Sequence, residues 1–283
     1  MVKGRKRLDR RKPKKNRVSN NKLKILIPLV FMLIIANLAL EHDKSTNQDK
    51  VNFKTVNVLI YNGTGASSNC VSKIEDCLDK SNERNLTSNV KFSYKTSEVI
   101  DNKTLSGYDV LVMPGSSEGY DYLGSDEIDA NAVKNFVASG KGYLGICAGA
   151  YSGAQYTEDW YDGWGIAPHV INEHPLDTGN LTVNITSAGN ELFGYSGKQI
   201  MPHINGPAMY ASGGDVVTFA TYADDNTDYE GSAAVIGDHY GKGRSVLSGV
   251  HPELEPEHPD MLAYMILWAY NGTFDFNKTS IKV

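Results

Sequence analysis

The stretch Gly142-Tyr143-Leu144-Gly145-Ile146-Cys147-Ala148-Gly149-Ala150-Tyr151 constrains this chain more than any other. The run from Gly142 to Ile146 reads as a buried strand, and Ala148, Gly149 and Ala150 open a helix. Cys147 falls on the sharp turn between them, which small neighbours make sterically feasible. A side chain placed there projects from the sheet edge. It also faces the unpaired N–H groups of a helix N-terminus, an environment that favours thiolate over thiol.

The surrounding pattern extends this unit. Val56 to Tyr61, Val90 to Tyr94 and Asp109 to Met113 read as strands, with helices over Ser67 to Lys80 and Asp126 to Ser139. Strands alternating with helices imply a parallel sheet covered on both faces, with ligands at the carboxyl ends of its strands. The turns Asn62–Gly65 and Pro114–Ser117 and residue Cys147 all fall at such ends and should cluster. From about residue 166 the pattern changes to short alternating runs: Leu181 to Ile185, Gln199 to Ile204, Val216 to Tyr222, Ala233 to His239 and Gly243 to Ser248. Asp238 to Arg244 carries a hairpin signal, and a last helix follows Pro259. The expected fold is α/β: a flavodoxin-like doubly wound, mostly parallel sheet with an antiparallel insertion, preceded by one N-terminal transmembrane helix.

That helix is read from the first forty residues. Lys3, Arg5, Lys6, Arg7, Arg10, Arg11, Lys12, Lys14, Lys15, Arg17, Lys22 and Lys24 are opposed only by Asp9. Residues 25–40 are almost wholly apolar, and Glu41-His42-Asp43-Lys44 ends the run. Basic segment, apolar run and polar stop have the form of a signal anchor, with a cleaved signal peptide as the rival. The division expected is a basic cytoplasmic tail over 1–24, a transmembrane anchor over 25–40, a linker over 41–54 and one domain over 55–283. The positive-inside bias puts the N-terminus in the cytoplasm and the domain outside.

Charge divides at the same place. With those twelve basic residues and Asp9 removed from the chain's 28 basic and 33 acidic residues, 16 and 32 remain. A body this acidic is not expected to bind nucleic acid. Asn62, Asn85, Asn102, Asn180, Asn184, Asn271 and Asn277 each begin an Asn-x-Thr triplet, an excess that suits N-glycosylation and an outside location.

Cys70, Cys77 and Cys147 are the only cysteines. Cys70 and Cys77 are seven apart in a helix, about 10 Å along its axis, too far for a disulfide. They read as two core-facing residues of one stripe, or as a bridge if the helix is broken. No His/Cys cluster has metal-ligand spacing, so neither metal nor cofactor is expected. His251-Pro252-Glu253 supplies a base with an orienter: residues two apart in extended chain point the same way, so Glu253 can fix the His251 tautomer. The aromatic-rich segment 156–164 packs at the sheet edge or stacks on a ligand. His203 and Asn205, before Gly206-Pro207, line a pocket or serve as turn residues.

Gly145-Ile146-Cys147-Ala148-Gly149 followed by His251-Pro252-Glu253 resembles the nucleophile elbow and His–Glu pair of class I glutamine amidotransferase-like proteins, and more closely the biotin-protein ligase N-terminal domain family among them. Val58 to Gly65, Val110 to Gly115, Asn205-Gly206-Pro207 and Gly241 to Arg244 support the resemblance in order along the chain. It implies Cys147 as nucleophile, His251 as base and Glu253 as orienter. The Ala148 N–H and the loop at Gly115 or Ser116 would form the oxyanion hole, with Tyr151, Asn205 and Gly206 at the substrate. Tyr151 stands where working amidotransferases usually have glutamine, and Gly115-Ser116 where they have paired glycines. No ligase half with a biotinyl-adenylate motif is seen, so biotin ligation is not expected. The functions expected are a membrane-anchored cysteine hydrolase or amidase on a small amide, peptide or thioester, or else a non-catalytic small-ligand-binding or surface interaction module.

Overall fold

Five parallel strands form the half of the sheet that carries the elbow. The computed structural model describes residues 53–117, 122–175, 177–225 and 227–272. Strand β1 (Lys54–Tyr61) lies between β2 (Val90–Ser97) and β3 (Val110–Met113); β4 (Gly142–Ile146) follows β3, and β13 (Gly243–Ser248) follows β4. All four pairings are parallel. Counting β13 as fifth, this is the 2-1-3-4-5 order of one common doubly wound sheet.

Alternation along β1 shows why the sheet needs two cores. Val56, Val58 and Ile60 enter one apolar cluster, with Ile74 and Leu78 of α1 (Ser68–Arg84) and Leu262 and Ile266 of α5 (Pro259–Asn271). Leu59 and Tyr61 enter the other, with Val133 and Val137 of α2 (Ala130–Ala138). Period-2 side chains on a sheet buried on both faces demand helices on both sides. Helix α1 begins where the Ser67 hydroxyl accepts from the Cys70 N–H at 3.3 Å and stops where Asn85 takes a left-handed φ of 52°.

Helix α2 is shorter than the 126–139 span expected from sequence. Asp129 takes the N-cap, accepting from the N–H groups of Asn131 and Ala132. Glu127, the second residue of the expected helix, is held outside it: its carboxylate accepts from the Tyr61 hydroxyl at 2.9 Å and the Thr64 N–H at 2.7 Å.

The other half of the sheet corrects the expectation of a mostly parallel sheet. Its strands are β5 (Ala154–Thr157), β6 (Tyr161–Asp162), β7 (Ala167–Glu173), β8 (Thr178–Ile185), β9 (Gly197–Ile204), β10 (Ala208–Ala211), β11 (Val217–Tyr222) and β12 (Ala233–Tyr240). Seven pairings in the whole sheet are antiparallel and five parallel. The sheet is therefore mixed. The connections explain this: a two-residue turn at Gly241-Lys242 and a three-residue turn between β5 and β6 join only antiparallel neighbours. Segment 156–164, read as an aromatic loop, contains this second hairpin. A helix unforeseen in the sequence, α4 (Ser187–Phe193), is capped by the Thr186 hydroxyl on the Gly189 N–H at 3.0 Å.

Among the described residues no helix is long and apolar enough to cross a membrane. The tail and anchor read from residues 1–40, the linker read from 41–54 up to residue 52, and the last sequon at Asn277 lie outside the described residues; β1 begins at Lys54, one residue before the expected domain start.

Candidate active site at the strand–helix elbow

The elbow is built by close packing against β3. Cys147 caps the short helix α3 (Ala148–Gly153) with φ 52° and ψ −108°, a backbone conformation sparsely populated by L-residues. Two glycines make it feasible. A side chain at Gly145 would run into the Gly149 carbonyl, and one at Gly149 into the Met113 carbonyl. The Cys147 N–H donates to the Ser248 carbonyl at 2.8 Å, which ties the elbow to the end of β13. His251 lies three residues beyond that carbonyl, so the β4–β13 pairing delivers Cys147 and His251 to one end of the sheet.

His251 and Glu253 are 1% and 0% exposed. Glu253 Oε1 accepts from His251 Nδ1 at 2.8 Å, so the expected His–Glu pair is formed. Burial opposes a charge on the imidazole, but the Glu253 carboxylate and the thiols of Cys147 and Cys70 outweigh it and hold the His251 pKa well above its ordinary value. No group stands in hydrogen-bond geometry on His251 Nε2 among the described residues. The Cys147 thiol instead donates to the Ile204 carbonyl at 3.5 Å.

The three expected turns do come together. The loop after β3 is fastened to the β1–α1 turn: the Ser67 N–H donates to the Gly115 carbonyl at 3.0 Å, and Ser116 bridges to Ala66. The point where a Gly115 Cβ would stand is 2.7 Å from His251 Cε1 and 3.5 Å from Cys147 Cβ. Gly115 and Ser116 thus border the elbow, and the Ala148 N–H belongs to the first turn of α3, whose donors have no partner inside the helix.

Tyr151 and Asn205 meet each other. The Tyr151 hydroxyl donates to the Asn205 carbonyl at 3.1 Å, and its ring lies 5.2 Å from that of His174. Gly206 packs so tightly on Gly249 that no side chain fits. His203 is fully buried, with its ring nitrogens 3.0 Å from the carbonyls of Asp177 and Gly206, so it braces this turn. Beyond Tyr151 opens a cleft of about 430 Å³ lined by Glu173, His174, Pro175, Asp177, Thr227, Asp228 and Tyr229. Cys147 is not part of its lining.

Sequence reasoning missed Cys70. Read as half of a core stripe with Cys77, it instead faces the site, its Sγ 3.9 Å from His251 Nδ1, while Cys77 alone joins the apolar cluster. Both are free thiols on one unbroken helix. The available signal was position: Cys70 stands in the first turn of the helix that follows Asn62–Gly65, at the same sheet end as the elbow.

Residues 56–163 match the family described as “Biotin-protein ligase, N terminal”. The elbow lies inside the match, and His251 and Glu253 lie beyond it. A biotin–protein ligase of Schizosaccharomyces pombe is 27% identical over 238 residues, covering 73% of this chain and 35% of the ligase. The chain thus spans about a third of the length of that curated relative. Similar solved structures include PurLQS from Thermotoga maritima, with 16% identity and a TM-score of 0.49 over 76% of this chain and 98% of that one. A glutamine amidotransferase from the same organism has 13% identity and a TM-score of 0.47 over 75% and 96%.

Proposed function

We propose that the domain is a cysteine-dependent amidase or hydrolase for a small amide, peptide or thioester, held outside the cell membrane by the segment at 25–40. The observation that carries the reading is the strained Cys147 at a strand–helix junction beside a buried His251–Glu253 pair bonded at 2.8 Å. In the reaction, Cys147 Sγ adds to the substrate carbonyl and its proton passes to His251 Nε2. Glu253 holds the imidazole through Nδ1. The oxygen's developing charge meets the Ala148 N–H and the Gly115–Ser116 loop. His251 protonates the departing amine or thiol, leaving a thioester on Cys147, which water activated by His251 then cleaves. Ligation of biotin is not part of this proposal.

The outside location rests on the basic, apolar and polar order of residues 1–44. The exposure of Asn62, Asn85, Asn102, Asn180, Asn184 and Asn271 is compatible with glycans on the Asn-x-Thr triplets. The acidic body argues against nucleic acid as a partner.

A non-catalytic small-ligand module is the second reading. It is favoured by the Cys147 thiol bonding to the Ile204 carbonyl while His251 Nε2 stays unpartnered. Iodoacetamide labelling at neutral pH in the presence of a chelator, followed by peptide mass spectrometry, separates the two. The enzyme reading expects Cys147 to label at least tenfold faster than in a His251→Ala variant. Slow labelling that ignores His251 sinks the enzyme reading and leaves the binding module.

A further inference from the structure

We propose that Cys70, His251 and Glu253 form a binding site for a thiophilic divalent cation of the zinc type. One donor atom from each lies within 4.8 Å of the other two. Cys70 Sγ is 3.9 Å from His251 Nδ1, and Nδ1 is 2.8 Å from Glu253 Oε1. Tetrahedral zinc, at about 2.3 Å from sulfur and about 2.0–2.2 Å from nitrogen and oxygen, separates its ligands by roughly 3.2–3.8 Å. The sulfur–nitrogen distance is about a tenth of an ångström beyond this range, the sulfur–carboxylate separation is within 4.8 Å, and small side-chain shifts close both, while the nitrogen–oxygen pair opens by a few tenths of an ångström once a cation replaces the shared proton.

Three further observations point to a ligand. All three side chains are at least nine-tenths buried: Cys70 is 4% exposed, His251 1% and Glu253 0%. Glu253 Oε2 has no hydrogen-bond partner among the described residues. A buried carboxylate oxygen without a donor is costly, and a cation satisfies it. Within the described residues, the ion pair of Glu253 is with His251, and no lysine or arginine competes for it. The thiolate, imidazole and carboxylate set suits zinc and not magnesium or calcium. The point where a Gly115 Cβ would stand is 3.2 Å from Cys70 Sγ and 3.5 Å from Cys147 Cβ, so the cluster adjoins the elbow.

The consequence is a choice between two states. A cation on Nδ1 and Glu253 removes the bond that orients the imidazole, so the metal-bound site and the Cys–His–Glu site exclude each other. The inference does not depend on turnover, because the donor cluster exists whether or not Cys147 reacts.

The test is titration of the full chain, freed of metal by chelator, with Co²⁺ and then Zn²⁺. The expected result is one cobalt per chain with a thiolate-to-cobalt charge-transfer band that zinc abolishes and magnesium leaves alone. Cys70→Ser should remove the band and weaken zinc binding by more than the ~100-fold that even outer-shell changes reach; Glu253→Gln should weaken it, and Cys77→Ser should not. Circular dichroism checks that each variant is folded. Absence of a stoichiometric band, or a band that survives in folded Cys70→Ser, overturns the proposal. Labelling of Cys147 under chelator is read separately, so failure here leaves the hydrolase reading standing.

Discussion

Gly115 lies against His251 so closely that the position of its missing side chain is 2.7 Å from the imidazole Cε1. The loop after β3 therefore fixes how far the His251 ring can move. Gly115→Ala should push the ring off its bond with Glu253. The expected outcome is slower iodoacetamide labelling of Cys147 and a stability loss of about 1–3 kcal/mol from overpacking, measured by peptide mass spectrometry and urea denaturation.

The elbow glycines should be among the most sensitive positions in the chain. Gly149→Ala drives a methyl group into the Met113 backbone, whereas a methyl group at Gly124 meets nothing within 4 Å. Thermal unfolding should show a large drop for the first variant, above about 2 kcal/mol. The second should be neutral or slightly stabilising, within about 1 kcal/mol.

Cys77 should be inert in the folded chain. Burial, with the nearby Glu257 and Glu253 carboxylates, pushes its thiol up to about 12, so at pH 8 roughly one molecule in ten thousand carries the thiolate. Labelling of Cys77 should appear only after denaturation. Rapid labelling in the native protein would show that the α1 core is open.

Acid should weaken the domain through Asp109. Burial raises this carboxyl's pKa, but the Asn57 N–H at 3.0 Å and Lys141 at 2.9 Å outweigh it, and the net pKa is depressed. A depressed folded pKa means the unfolded chain binds more protons. The stabilisation is thus complete above the unfolded value of about 3.9 and is lost as pH falls through the folded value. Asp109→Asn should cost about 1–2 kcal/mol at pH 6, with the difference from wild type closing below pH ~3. Urea melts across this window read it directly.

Tyr151→Phe should loosen the turn over the elbow. It removes the hydroxyl that donates to the Asn205 carbonyl, at about 1 kcal/mol. Faster labelling of Cys147, which is 9% exposed in the intact site, is the expected readout; unchanged labelling would show that Tyr151 does not cover it.

Much of the parallel half was legible in the chain. Gly142–Ile146 is a strand with the bounds read from its apolar run, because a short, wholly buried strand flanked by a turn and a helix has few other conformations. The elbow and the His–Pro–Glu pair were legible for the same reason: their geometry is set within a few residues by backbone sterics and alternation. Strand β7 was not. Its sequence Ala-Pro-His-Val-Ile-Asn-Glu mixes proline and polar residues, and it is a strand because β10 and β5 flank it. Helix α2 lost its first turn because Glu127 found Tyr61 and Thr64, partners more than sixty residues away.

The sequence by itself determined the α/β alternation, the strained cysteine turn and the pairing of His251 with Glu253. These depend on interactions that span at most a few residues. Tertiary structure alone decided that Cys70, 181 positions from His251, enters the same site, and that antiparallel pairing prevails in the second half. Both follow from packing between distant segments, where burial of one face against another chooses among local conformations of similar energy.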